Sequence, residues 1–114
     1  MSDCLFCRIA VGSIPSNLVY QDDQVVAFED INPQAPVHVL VIPRRHIPSV
    51  ADFTGADANL LGQMVDACVK IARQKGVAES GYRIVTNTGP HAGQSVFHVH
   101  FHVLGGRHLA WPPG

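Results

Sequence analysis

The sequence predicts an α+β fold in which one antiparallel sheet of about five strands packs against two helices. Five short segments rich in β-branched or aromatic residues are separated by turn residues, and only two segments have a helical pattern. Most connections between strand segments are too short for parallel crossovers, and the one longer connection contains the longer helix. At 114 residues, the chain is long enough for one domain and too short for two of ordinary size.

Composition narrows the classes of partner. Hydrophobic residues make up 46% of the chain, charged residues 15%, and the net charge is −1. Long nucleic acid is therefore not an expected partner, because such binding needs a basic surface, whereas a mononucleotide does not. The N-terminal residues lack a signal-peptide pattern, and no apolar run approaches the roughly 20 residues of a membrane helix. We expect a cytoplasmic protein with no membrane partner.

The first elements are a short helix and a hairpin. Residues 4–11 are predicted to be helical, with Asp3 as the N-cap and Gly12 at the C-terminal end. Segments 18–20 and 25–28 flank an Asp-rich turn, which is typical of a β-hairpin. These two strands are expected to be neighbours in the sheet.

A polar loop and a buried strand follow. Residues 29–36 include two prolines, which neither continue a helix nor suit a central ladder. Residues 37–42 are nearly all apolar and β-branched, so we expect a central strand covered on both faces. Its one polar side chain is His38.

The longer helix is predicted between Thr54, which can cap it with Asp57 near the N3 position, and Gly76. Residues 82–87 then form the next strand, and the glycine-containing loop 88–94 leads onward. Apolar residues recur along the helix at steps of three and four, and this stripe is expected to pack on the sheet: Leu60, Leu61, Met64, Val65, Cys68, Ile71 and Ala72.

The most informative segment is 98–104, where His98, His100 and His102 alternate with apolar residues. A strand directs successive side chains to opposite faces, so the three imidazoles are predicted to share one face, roughly 6.5 Å apart. Imidazole titrates nearest neutrality and can act as nucleophile, proton donor or metal ligand. The opposite face would present Phe97, Val99, Phe101 and Val103.

Three uses of this face remain open from spacing alone. One imidazole could attack phosphorus while neighbouring groups, including Gln94 and Ser95, hold the phosphate oxygens. Two histidines could instead bind a catalytic zinc ion, and the i, i+2 spacing slightly favours a metal. The third possibility is metal binding or buffering without turnover.

A second candidate site begins with Cys4 and Cys7, which have C-x-x-C spacing. Combined with histidines from elsewhere, they could close a tetrahedral structural zinc site. A redox pair and two ordinary thiols are the alternatives. Cys68 lies in the apolar stripe, so we expect it to be buried.

Four segments together resemble one known family. They cover nearly the whole chain and resemble the histidine triad (HIT) superfamily, in particular its histidine triad nucleotide-binding (HINT) branch. The segments are 30–43, 81–87, 93–107 with the triad itself, and 111–114 with the sequence Trp-Pro-Pro-Gly. The resemblance implies a single HIT domain over residues 1–114.

The resemblance implies catalytic roles for the histidines. His100 matches the nucleophile that attacks the α-phosphorus and becomes nucleotidylated, and His102 matches a histidine that contacts phosphate and assists the leaving group. His38 matches a histidine that helps to orient the nucleophile. The phosphate-side contacts of the family match Asn87, Gln94 and Ser95.

It also implies a purine nucleotide site, a dimer and a metal site. Asp30 matches the carboxylate that binds the ribose hydroxyls, and Phe6, Ile9, Phe28 and Ile31 match the purine slot. HINT proteins are symmetric dimers whose sheets join across the interface, and Trp111, in the tail 105–114, matches a residue that reaches toward the partner's active site. No cofactor is implied for the chemistry, but a structural zinc ion is, with ligands matching Cys4, Cys7, His46 and His98.

The function implied by the resemblance is hydrolysis of purine nucleoside 5′-phosphoramidates or acyl-nucleotides, with release of AMP or GMP. A nucleotide-binding regulatory module with little turnover would use the same residues, so the sequence leaves that alternative open. A dinucleoside polyphosphate hydrolase is less favoured, because that branch usually has Gln where this chain has Ser95.

Overall fold

The computed structural model describes residues 3–114, and in this part of the chain five strands form one antiparallel sheet in the order β1-β2-β3-β5-β4. Together with two α-helices, this confirms the predicted fold class. No helix in the described range has the length and hydrophobicity needed to cross a membrane. The elements are α1 (Leu5–Ala10), β1 (Leu18–Gln21), β2 (Val25–Glu29), β3 (Val37–Pro43), α2 (Ala58–Gln74), β4 (Tyr82–Val85) and β5 (Phe101–Gly105).

The strand order places the histidine segment near the centre of the sheet. The connection from β3 to β4 contains α2, and β5 lies between these two strands and is antiparallel to both. His102 is in register with Leu40 on one side and with Val85 on the other. The hairpin predicted from the Asp-rich turn is formed by β1 and β2, and Asp22 Oδ1 accepts hydrogen bonds from the backbone N–H groups of Gln24 and Val25.

Helix α2 covers one face of the sheet. Thr54 and Asp57 form the predicted capping box, but they close a 3₁₀ turn over Gly55–Asp57 that leads into α2. The helix ends before Gly76, whose φ of 77° suits glycine. The predicted stripe is wrong at Val65, which is 40% exposed; the residues that α2 buries are Leu60, Met64, Ala67, Cys68, Ile71 and Ala72.

Helix α1 packs on the other face. Its N-cap is Cys4 and not the predicted Asp3, because the Cys4 backbone is extended and its Sγ accepts the N–H of Cys7 at 3.4 Å. Gly12, with a φ of 79°, follows the helix end as predicted. The apolar cluster on this side comprises Phe6, Ile9, Ala10, Val26, Phe28, Leu40 and Ile42.

The histidine segment is a strand over only part of its predicted length. Strand β5 begins at Phe101, so His98 and His100 precede it. The ladder stops there because the Val99 N–H donates to Ile47 O at 2.6 Å and the Thr86 hydroxyl donates to His100 O at 3.0 Å. The alternation still holds at Val99, Phe101 and Val103, which join the core beneath α2, whereas Phe97 is 59% exposed and is not part of that core.

Candidate active site

The three imidazoles of the triad lie on the α1 side of the sheet, and two of them line a cavity of about 640 Å³. Eight residues predicted from sequence line this cavity: Phe6, Ile9, Phe28, Asp30, Ile31, Ser95, His100 and His102. Sequence reasoning missed eight others: Leu5, Ile14, Pro15, Ser16, Asn17, Glu29, Leu40 and Val96. Leu40 could have been found by counting two residues along β3 from His38, whereas the loop before β1 has no periodic signal.

The register of the strands sets the order of residues from one end of this cavity to the other. His102 on β5 is opposite Leu40 on β3, and Leu40 is opposite Phe28 on β2. Neighbouring strands lie about 4.8 Å apart, so Phe28 lies roughly 10 Å from His102 across the sheet. Phe6 packs edge-on against Phe28, with ring centroids 5.4 Å apart. The cavity therefore has imidazoles at one end and an aromatic slot at the other.

The environment of His100 fixes which of its ring nitrogens carries the proton. Nδ1 lies 2.8 Å from the carbonyl oxygen of His98 and donates to it, because a carbonyl can only accept. In the neutral ring, Nε2 then has the lone pair. Burial lowers the pKa of His100, with the bond to His98 O acting in the opposite direction. His100 is therefore held neutral, as a nucleophile requires.

The proton on His102 is fixed by a chain of two hydrogen bonds. The Gln34 backbone N–H donates to His38 Nδ1 at 3.0 Å, so the proton of neutral His38 is on Nε2. That nitrogen lies 2.8 Å from His102 Nδ1 and donates to it. The proton of His102 is consequently on Nε2, which is buried and has no hydrogen-bond partner within residues 3–114. His102 thus has an unused donor on the ring that borders the cavity.

His38 is hydrogen-bonded to His102. The sequence predicted that His38 would help to orient His100, but its Nε2 is bonded to His102, and His100 is oriented by the carbonyl of His98. Asp30 Oδ2 lies 3.3 Å from the same His38 nitrogen, while its Oδ1 accepts the N–H of Asn32 at 2.8 Å. Burial lowers the pKa of His38, and the Asp30 carboxylate partly offsets this. Burial also lowers the pKa of His102, to about 4, assisted by the neighbouring imidazoles.

Three predicted nucleotide-contacting residues do not line the cavity. The side chain of Gln94 is buried and satisfied by backbone groups: its Oε1 accepts the Gly89 N–H at 2.9 Å, and its Nε2 donates to Pro48 O at 2.7 Å and Val96 O at 3.1 Å. Its predicted phosphate contact stays a prediction. Asn87 is half-buried outside the cavity lining, and Trp111 is 81% exposed.

The predicted metal ligands converge beside the triad. The ligand atoms of Cys4, Cys7, His46 and His98 all lie within 4.8 Å of one another. His98 is fully buried, and its Nε2 donates to Pro43 O at 2.8 Å, which leaves the lone pair on Nδ1. That Nδ1 lies 3.4 Å from Cys4 Sγ and 3.5 Å from Cys7 Sγ. Two sulfurs and two imidazoles at these distances fit a tetrahedral zinc ion.

Comparison with known proteins gives the family. The HIT domain family matches residues 11–109. The chain belongs to the HIT family. The purine nucleoside phosphoramidase of Escherichia coli (strain K12) is 50% identical to this HIT protein over 107 residues, which cover 94% of this chain and 90% of that relative.

Solved structures agree with this assignment. A HIT family hydrolase from Legionella pneumophila superposes with a TM-score of 0.97 at 46% identity, covering 98% of this chain and 100% of that one. A histidine triad protein from Clostridium difficile gives 0.93 at 43% identity, covering 96% of each chain. These relatives identify the HIT protein described here as an enzyme, a hydrolase.

A second group of possible metal ligands in this HIT protein, Asp30, His38 and His102, lies at the edge of the cavity. A metal ion there would need the lone pair of His38 on Nε2. The Gln34 N–H already bonds to Nδ1, and this bond puts the lone pair on the wrong nitrogen. The three side chains are better suited to hydrogen-bond to one another than to bind a metal.

Proposed function

We propose that this HIT protein hydrolyses purine nucleoside 5′-phosphoramidates or acyl-nucleotides and releases AMP or GMP through a nucleotidyl-His100 intermediate. The observation that carries the proposal is the pairing of opposite hydrogen-bonding states in one cavity. His100 has a lone pair on Nε2 and His102 has a proton on Nε2, with ring centroids 5.1 Å apart. A nucleophile beside a hydrogen-bond donor is the arrangement that displacement at phosphorus requires.

In the first half-reaction, His100 Nε2 forms a bond to the α-phosphorus and the bond from phosphorus to the leaving group breaks. The His102 Nε2–H donates a hydrogen bond to a phosphate oxygen or to the departing atom, and a departing amine takes up a proton from water. The His98 carbonyl stabilises the positive charge that develops on the His100 ring. In the second half-reaction, a water oxygen bonds to phosphorus and the bond from phosphorus to His100 Nε2 breaks. The proton of that water passes to solvent, His100 regains its lone pair, and the nucleotide leaves.

The other residues that line the cavity are suited to bind a nucleoside. A purine ring can pack against the apolar end of the cavity, which is lined by Phe6, Phe28, Ile9 and Ile31. Asp30 directly follows β2, the strand that contains Phe28, and its Oδ2 lies 3.3 Å from His38 Nε2, so its carboxylate is suited to accept hydrogen bonds from ribose hydroxyls. The exposed Ser95 at the phosphate end can donate to a phosphate oxygen.

We further propose a zinc ion bound by Cys4, Cys7, His46 and His98, a cytoplasmic location, and a homodimer of single-domain chains in which the tail with Trp111 reaches the partner's site. Bound zinc would fasten α1 to the histidine segment and take no part in the displacement. Support for this structural role comes from the chemistry of the donor set, because four protein ligands leave no position for a catalytic water.

The test uses a fluorogenic adenosine phosphoramidate. We expect wild-type protein to release the fluorophore and His100→Ala to lose at least about 1000-fold in rate, because no other nucleophile replaces the imidazole. His91→Ala is a matched control, since His91 is exposed and outside the cavity. AMP affinity measured on the same preparations separates enzyme from sensor: tight AMP binding with equal, negligible rates in all three proteins would contradict hydrolysis.

A further inference from the structure

The loop between β2 and β3 contains the group that decides the proton positions at the active site. The Gln34 N–H donates to His38 Nδ1 at 3.0 Å, and through His38 it leaves the His102 proton on Nε2. This N–H belongs to the backbone, so its direction depends on how the loop is held. The group that holds the loop therefore acts on the catalytic histidines at a distance.

We propose that Arg107 is a positioning residue that holds this loop, and through it the protonated state of His102 Nε2; the inference rests on the hydrolytic function proposed above. Arg107 comes after Gly105, the last residue of β5, and Gly106. Its Nε and Nη2 both donate to the carbonyl oxygen of Gln34, at 3.1 and 3.0 Å. Two donors from one rigid guanidinium plane fix the direction of that carbonyl.

A second contact, between Gly106 and Pro36, holds the same loop, and the two contacts together are called the clamp below. Gly106 has a φ of 89°, and a Cβ placed on it would lie 2.9 Å from Pro36 Cβ. The missing side chain lets the backbone before Arg107 lie directly against the loop. Arg107 Nη1 also donates to His108 O at 3.0 Å, so the guanidinium is itself held in place. The loop is thus fixed at Gln34 by hydrogen bonds and at Pro36 by close packing.

Arg107 does not act by touching the substrate. It is absent from the lining of the 640 Å³ cavity and borders a separate concavity of about 240 Å³ together with Arg83 and His108. Its effect on the reaction must pass through Gln34 and His38. Arg107 is therefore a positioning residue, and His102 is the group that meets the phosphate.

Loss of the clamp would change the balance between two proton arrangements. When the Gln34 N–H moves away, His38 Nδ1 can carry the proton, and His38 Nε2 then accepts from His102 Nδ1. The lone pair of His102 would lie on Nε2 and repel the phosphate oxygens. The Asp30 carboxylate, 3.3 Å from His38 Nε2, still favours the original arrangement, so we expect a partial loss of activity.

The experiment compares Arg107→Ala, Arg107→Lys and the control Arg83→Ala. Arg83 also donates to backbone carbonyls, but these belong to Leu109 and Ala110 and not to the loop between β2 and β3. With the adenosine phosphoramidate, Arg107→Ala should lower kcat by about 10- to 100-fold with a much smaller change in KM, because the loss lies in the transition state. Arg107→Lys keeps one donor and should recover part of kcat.

A second measurement does not depend on activity. The ¹⁵N chemical shifts of the imidazoles report which nitrogen is protonated. Wild-type protein and Arg83→Ala should have His38 and His102 protonated on Nε2, and Arg107→Ala should have a substantial Nδ1–H population at His102. Unchanged His102 shifts in a folded Arg107→Ala protein would overturn the proposal, as would an unchanged kcat. Absence of hydrolysis by the wild type would refute the proposed function alone, since the NMR comparison would still test the clamp.

Discussion

The buried imidazoles give the folding stability of this protein a defined pH dependence, and His102 provides the clearest test. Burial lowers the pKa of folded His102 to about 4, whereas an unfolded chain has a value of roughly 6.5. Between these values the unfolded chain binds a proton that the folded protein does not, so stability falls as pH falls. The loss begins near pH 6.5 and levels off near pH 4.

The size of the effect follows from the two pKa values. If His102 were fully shielded from solvent, lowering the pH from 7.5 to 5.0 would reduce the free energy of unfolding by about 2 kcal/mol. His102 is partly exposed to solvent, so we expect between about 1 and 2 kcal/mol after screening. His38, His98 and His100 add losses of the same sign, because burial lowers the pKa of each.

Urea unfolding at both pH values, on metal-free wild-type and His102→Asn proteins, isolates this contribution. The variant should lose less stability on acidification than the wild type, by about 1 to 2 kcal/mol. Comparing the two differences cancels the acid sensitivity of groups that do not interact with His102. His91→Asn, which removes an exposed histidine, should behave like the wild type. Equal losses in wild type and His102→Asn would refute the reasoning.

Three further predictions test the metal site, the nucleotide site and the core. Elemental analysis of protein purified without chelator should give about one zinc per chain, falling when Cys4 and Cys7 are both replaced by Ser; unchanged zinc would contradict the ligand set. Asp30→Asn should weaken AMP binding by about 10- to 100-fold in calorimetry through loss of charged hydrogen bonds, and an unchanged Kd would exclude the ribose contact. Ile71→Ala, in a fully buried position, should cost about 2–5 kcal/mol, clearly more than Val65→Ala at a 40% exposed position.

The elements of the fold could be predicted because their signals are local. The continuous apolar, β-branched run of β3 and the helical period of α2 depend on residues near in sequence, and both elements form as predicted. The start of β5 could not be predicted in this way, since the alternation of His and apolar residues begins before it. What ends the ladder is a bond from Val99 to Ile47 and another from Thr86, and both partners are distant in sequence.

The residue types of the candidate site could be predicted, but their hydrogen-bond partners could not. The four candidate metal ligands lie together, and eight of the predicted nucleotide-site or catalytic residues line the cavity. The hydrogen-bond partners of His38 and Gln94 could not be predicted, because an imidazole or amide bonds to whichever groups the fold brings near it. The backbone N–H of Gln34 has no sequence signature at all, although it decides the proton positions of two histidines.

The central claim is that His100 attacks phosphorus and is then displaced by water. The stereochemical course at phosphorus tests it most directly. A single diastereomer of an adenosine phosphorothioamidate would be hydrolysed in ¹⁸O-labelled water and the configuration of the product determined. Two in-line displacements through nucleotidyl-His100 predict overall retention of configuration. Inversion would show a single direct attack by water and would contradict the account.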